Sequence, residues 1–330
     1  MKKDLNSGDP HALMMVGGQA VIEGVMMRAQ GRIATAVRRA DGTIVVRREE
    51  FVPVGKRFPI LAAPVLRGAA GIIEMLMIGI RTLNYSAEIA MADEHAAGAV
   101  PDVPEKESRL MLGVTVAVAL ALAIALFFVT PLVLTSLAFS VDQNPVLFNA
   151  LAGGIRLVLF LVYLILIAQM KDVKRLFAYH GAEHKTVFAY ERGGALTVDV
   201  AACQSRFHPR CGTSFLLVVM ISAIIIFAIV DGLLILQFGT ITLPLRLLTH
   251  LPLIPLVGGL SYEMIRFSAR FAENGPGRLI VAPGLWLQKI TTAEPDAGQL
   301  EVAIAALEAA LGTMEQPAVP ASDEPMTGAA

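Results

Sequence analysis

In the stretch AYHGAEHKTVFAYE, residues 178–191, two imidazoles and a carboxylate fall together as His180, Glu183 and His184. On a helix, positions three and four apart share a face, so the two histidines can offer nitrogens to one tetrahedral ion while Glu183 stands beside them. His-x-x-Glu-His is the inverted zinc-protease order, in which the histidines hold metal and the carboxylate handles the proton of an attacking water. A second group, RFHPRCGTS, sets His208 and Cys211 three apart. Three histidines and a cysteine would close a structural zinc site, whereas three protein ligands would leave one position for water or substrate, as in a catalytic site.

Other side chains compete for a place. Glu191 follows His184 by seven residues and can face the same way; Glu23 belongs to a glycine-bearing N-terminal segment; Glu263 falls near the end of the last apolar stretch. Several side chains have a plainer reading. Glu263 is expected to pair with Arg266 or Arg270, Glu191 to be a solvated surface charge, and Cys203 to be a buried thiol. His11, His95 and His250 stand without partners in the sequence.

The elements that must carry this group are largely made for lipid. Of 330 residues, 55% are hydrophobic and 17% charged, and the mean hydropathy of +0.64 is too apolar for an ordinary soluble domain. A net charge of -1 offers no basic surface for a phosphate backbone, so nucleic-acid binding is excluded. The fold class read from this pattern is an α-helical membrane protein. It is a bundle of about four transmembrane helices, with an amphipathic interfacial helix, a small N-terminal cytosolic β element and a C-terminal cytosolic helix.

Residues 110–140 carry no charge, and about 20 helical residues cross the hydrocarbon. Pro131 should bend or end that helix. Further spans are expected over 150–170, 212–236 and 244–263. Lys171, Lys174, Arg175, Lys185, Arg192, Arg206 and Arg210 crowd one connection, while 141–152 and 237–245 hold no Lys or Arg. The positive-inside rule therefore puts 171–210 and both termini in the cytosol of a multi-pass inner-membrane protein. Arg156, Asp231 and Arg246 should meet near the outer ends of the spans as an ionic cluster, or else line a transport path.

Arg67, Glu74, Arg81 and Glu88 recur every seven residues in an apolar stretch, forming one charged stripe on a helix over 59–91 that lies on the membrane or the bundle. Alternating residues about Asp41-Gly42 predict a hairpin within a β element over 17–58, and GGQAVIEG predicts a strand and a tight turn. Residues 1–16 and 313–330 read as disordered and 92–109 as a linker. Residues 110–270 form the bundle with its metal-site loop at 171–212, and 271–312 form a C-terminal helical segment. No secretory signal pattern opens the chain.

With GGQAVIEGVMMRA, YHGAEHKTVFAYE, HPRCGTSF and LWLQKITTAEPDAGQLEVAIAAL in order, the chain resembles the YqhQ-like bacterial membrane proteins, domain of unknown function 1385. The resemblance runs from Gly17 to about Leu311. It implies a metal-dependent enzyme without naming a substrate, and its motifs fall on Gly17, Gly18, Gln19, Glu23, His180, Glu183, His184, His208 and Cys211. The combined expectation is a divalent metal, zinc, held by His180, His184 and either His208 or Cys211, with Glu183 as general base. It would hydrolyse a membrane-associated substrate amid membrane lipids, with Glu23, Glu191 and Glu263 as accessory groups. The rival expectations are a scaffold with a structural metal and a small transporter or channel.

Overall fold

The structure is a computed structural model that describes residues 16–96, 105–141, 143–269 and 275–313. The sequence readings of disordered ends therefore fall outside the described residues, apart from the few that border them.

Four strands, β1 (Gly17–Val21), β2 (Gly24–Ala29), β3 (Arg32–Arg38) and β4 (Ile44–Glu50), form an antiparallel meander in chain order. The first reversal is made by Ile22 and Glu23, and Glu23 adopts a positive φ of 51°. Asp41 and Gly42 lie in the last reversal, where Asp41 Oδ1 accepts from the Thr43 N–H at 2.9 Å and Gly42 takes a φ of 87°. Such local hydrogen bonding and left-handed backbone are what Asp-Gly supplies in a turn.

Helices cover both faces of this sheet. A one-turn helix, α1 (Val54–Arg57), leads into the long α2 (Leu66–Ala96), which lies on the face carrying Met26 and Ile33. On the other face, α6 (Lys171–Glu191), α7 (Val198–Ala202) and α11 (Ala297–Leu311) close a core containing Val25, Met27, Tyr179, Val187, Leu300 and Leu307. Fully burying a side chain of this size contributes about 1.5–3 kcal/mol. The alanines of α11 let its backbone approach the sheet closely. An Asp296–Gln299 capping box begins that helix, and Gly312 in left-handed conformation ends it.

The remaining helices are α3 (Glu105–Ile124), α4 (Thr130–Ser136), α5 (Pro145–Ile167), α8 (Gly212–Phe238), α9 (Leu243–Ala269) and α10 (Gly275–Thr291). Four stretches among them are long and apolar enough to cross a membrane: 113–136, 145–167, 215–238 and 243–267. A π-helical turn, Ala125–Val129, joins α3 to α4 just ahead of Pro131, so the helical path does not end at the proline.

Several sequence expectations are corrected. The histidines lie on a helix of their own: α5 ends at Ile167, Met170 is extended, and α6 begins afresh at Lys171. Part of the expected linker is helical, because α2 runs on to Ala96 and α3 begins at Glu105. The seven-residue charge stripe of α2 agrees with the packed alternative, since most of its members dock the helix. Arg67 pairs with Glu263 at 2.5 Å, Glu74 accepts from the Val54 N–H at 2.8 Å, and Arg81 reaches Glu49 at 3.2 Å.

The ionic cluster has different members. Asp231 is buried with Arg246, accepts from Asn149 Nδ2 at 2.6 Å, and lies 3.3 Å from His250 Nε2, so His250 has a partner after all. Arg156 stays out of it and donates to the Phe127 carbonyl instead.

Candidate metal centre

Both histidines of the motif are oriented by backbone carbonyls. His180 Nδ1 lies 2.8 Å from the Thr291 oxygen, and His184 Nδ1 lies 2.5 Å from the Arg206 oxygen. A carbonyl only accepts, so each ring carries a hydrogen on Nδ1, and in the neutral tautomer so fixed the lone pair lies on Nε2. The rings are 4.4 Å apart between centroids. Cys211 Sγ then stands 3.3 Å from His180 Nε2 and accepts from Thr213 Oγ1 at 3.3 Å. Cys211 is also the N-cap of α8, where the helix dipole favours negative charge.

One ligand atom from each of His180, His184 and Cys211 lies within 4.8 Å of the other two. Two nitrogens and a sulfur that close form a donor set suited to zinc, and the carbonyl-bound Nδ1 atoms are the outer support that metal-binding histidines use.

Glu183 lies beside this group among the described residues, outside the three. Its side chain is buried, with Oε2 3.5 Å from His184 Nε2. Gly18 of β1 passes directly over it: a Cβ there would fall 3.1 Å from Glu183 Cγ and 2.2 Å from the Met26 oxygen. Here Gly18 gives room for the strand and the Glu183 side chain to touch.

His208 is placed differently from the other two histidines. Its backbone is clamped by buried Gln288, whose Oε1 accepts from the His208 N–H at 2.7 Å and whose Nε2 donates to the His208 carbonyl at 2.8 Å. The ring packs on Phe188, its Nδ1 accepts from the Arg210 N–H, and its Nε2 faces Glu191 at 3.4 Å. Burial pushes its pKa down, against the opposing influence of Glu183.

The other carboxylates are engaged elsewhere. Glu191 pairs with Arg210 and is largely covered, which corrects the expectation of a solvated charge. Glu23 pairs with Arg175 and accepts from the Tyr179 hydroxyl at 3.3 Å, joining the first β-turn to α6. Glu263 binds Arg67 and the Val65 N–H, with the expected Arg266 only a lesser charge acting on it, and Arg270 lies outside the described residues. Cys203 is exposed, not buried, and lies outside the group.

Sequence reading missed the outer support entirely. Thr291 supplies a carbonyl to His180, Ala293 N–H donates to the Phe177 carbonyl at 2.8 Å, and Glu294 receives Lys185 Nζ at 2.8 Å. The one available signal was Gln288, an amide among apolar residues in GLWLQKI.

A family described as "Protein of unknown function (DUF1385)" matches residues 63–313. The "Uncharacterized protein YqhQ" of Bacillus subtilis (strain 168) is 34% identical over 299 residues, covering 87% of this chain and 89% of that protein. No solved structure matches.

Proposed function

The chain belongs to the DUF1385 family, and from its own geometry we propose that it is an integral inner-membrane, zinc-dependent hydrolase acting at the cytosolic face. The observation that carries this reading is the pair of imidazoles locked through Nδ1, with His180 Nε2 beside the Cys211 sulfur. His180, His184 and Cys211 are the zinc ligands. Zinc held there would supply Lewis-acid polarisation of the scissile carbonyl or phosphoryl oxygen. Glu183 takes a proton from the attacking water and returns it to the leaving group, a role for which a carboxylate at the edge of the ligand group is well placed.

The Lys and Arg bias of 171–210 supports a cytosolic side for the site and both termini. Cys211 caps α8 four residues before the apolar stretch 215–238 begins, which supports a site close to the membrane surface. The substrate is accordingly one presented from the inner leaflet.

A second reading makes Glu183 a fourth ligand and the zinc a structural staple; the burial of Glu183 and its 3.5 Å approach to His184 favour it. Elemental analysis separates the cases. Purified protein should carry zinc, and the His180→Ala, His184→Ala double variant should lose it; equal metal in both sinks the proposal. Glu183→Gln keeps its zinc under the hydrolase reading and loses most of it under the staple reading.

A further inference from the structure

Arg156 is the twelfth residue of the 23-residue α5, so it lies about 16 Å from either helix end at 1.5 Å per residue. In a hydrocarbon layer about 30 Å thick, that is the middle of the bilayer. Charges at such depth ordinarily face a partner charge or a polar cavity. Arg156 follows Asn149, Ala152 and Gly153 on the bundle-facing side of α5, and it is partly accessible.

Its surroundings are specific. Pro131 has no N–H to give to the Phe127 carbonyl four residues before it, and Arg156 Nε donates to that oxygen at 2.7 Å. The guanidinium carbon sits 5.2 Å from the centre of the Phe128 ring. Phe127 in turn meets Phe160 and Tyr163 edge-on at 6.4 and 5.4 Å. Among the described residues no carboxylate pairs with Arg156, and the charge that acts on it is the like-signed Arg246. The planar fork beyond Nε is thus held in place by one hydrogen bond and an aromatic floor, with its outer donors facing no acid.

We propose that Arg156 forms an intramembrane binding site for an anionic phosphate or carboxylate group, entered between the π-turn of Ala125–Val129 and α5. An arginine fork matches such groups with two parallel hydrogen bonds. The group is carried either by an anionic lipid or by a free ion. The inference rests on α5 crossing the bilayer and is independent of the zinc site.

The test uses the full chain extracted from vesicles of equal phosphatidylcholine and phosphatidylglycerol, with retained lipid counted by native mass spectrometry. Wild type should hold phosphatidylglycerol preferentially, and Arg156→Gln should hold roughly tenfold less, as expected for the loss of charge-assisted hydrogen bonds. If no lipid preference is seen but inorganic phosphate raises the melting temperature of wild type and not of Arg156→Gln, the site stands with a free anion as its ligand. Should Arg156→Gln fail to fold, Arg156→Lys carries the comparison: it keeps the charge, loses the fork, and should retain severalfold less. Wild type showing neither lipid preference nor a phosphate response overturns the proposal.

Discussion

The carbonyl oxygen of Thr291 lies 2.8 Å from Nδ1 of His180, across 111 residues of chain. That contact exists because the segment after α10 crosses α6 at Gly181, where a Cβ would stand 2.1 Å from the Ala293 oxygen. The glycine inside the His-x-x-Glu-His motif is therefore a packing requirement of the segment that orients the first histidine.

Replacing Gly181 by alanine should push that segment off α6. Overpacking of this kind costs about 1–3 kcal/mol, and loss of the carbonyl support should weaken zinc binding by about 10–100-fold. Thermal unfolding and chelator competition measure the two effects. A Gly181→Ala protein with unchanged zinc affinity would show that the Thr291 carbonyl does not tune the site.

Gln288 makes an independent prediction. Its side-chain amide satisfies both backbone groups of His208, and all of these atoms are buried. Gln288→Leu keeps the apolar volume and leaves the two backbone groups unpaired, at about 1–3 kcal/mol each. The expected result is a lower melting temperature together with displacement of the loop that leads to Cys211, read as weaker zinc retention in dialysis.

These two residues also mark where sequence reading stops. The histidine pair was legible because helical periodicity alone puts positions 180 and 184 on one face. The turns at Ile22-Glu23 and Asp41-Gly42 and the four apolar stretches were likewise local signals. Partners brought by packing carry no such signature. Arg266 was the near neighbour of Glu263 in sequence, yet Arg67 holds it from 196 residues away. His250 looked solitary because Asp231 lies on a different helix. His208 and Cys211 are only three apart, but the chain between them turns, sending the sulfur toward His180 and the ring toward Glu191.

Asp93 gives a pH prediction. Its carboxylate accepts from Arg39 Nε at 2.9 Å and from the Ala40 N–H at 2.8 Å, tying the end of α2 to the last hairpin. The Arg39 hydrogen bonds, then that of Ala40, hold its pKa below the ordinary 3.8. A carboxylate with a depressed folded pKa contributes stability that is complete above the unfolded value and is lost as pH falls through the folded one. The melting-temperature gap between wild type and Asp93→Asn should therefore stay constant from neutral pH down toward 3.8 and close below it. A gap that closes well above 3.8 would contradict the assigned contact.

The buried pair at the far end of the bundle supplies the last prediction. Asp231 has no exposed surface, and its carboxylate is shared among Arg246, Asn149 and His250. Arg246→Met removes the cation and leaves that carboxylate inside an apolar bundle with one amide and one imidazole. Breaking a buried pair from one side costs about 3–5 kcal/mol, whereas replacing both partners by apolar groups is often neutral. Arg246→Met should thus lower the melting temperature in detergent sharply, and adding Asp231→Leu should recover most of the loss. Zinc content should stay unchanged in both, because Cys211 caps the opposite end of α8 from Asp231. Failure of the double variant to recover would mean that the pair does more than neutralise charge, as expected if Asn149, Asp231 and His250 must remain polar for the bundle to pack.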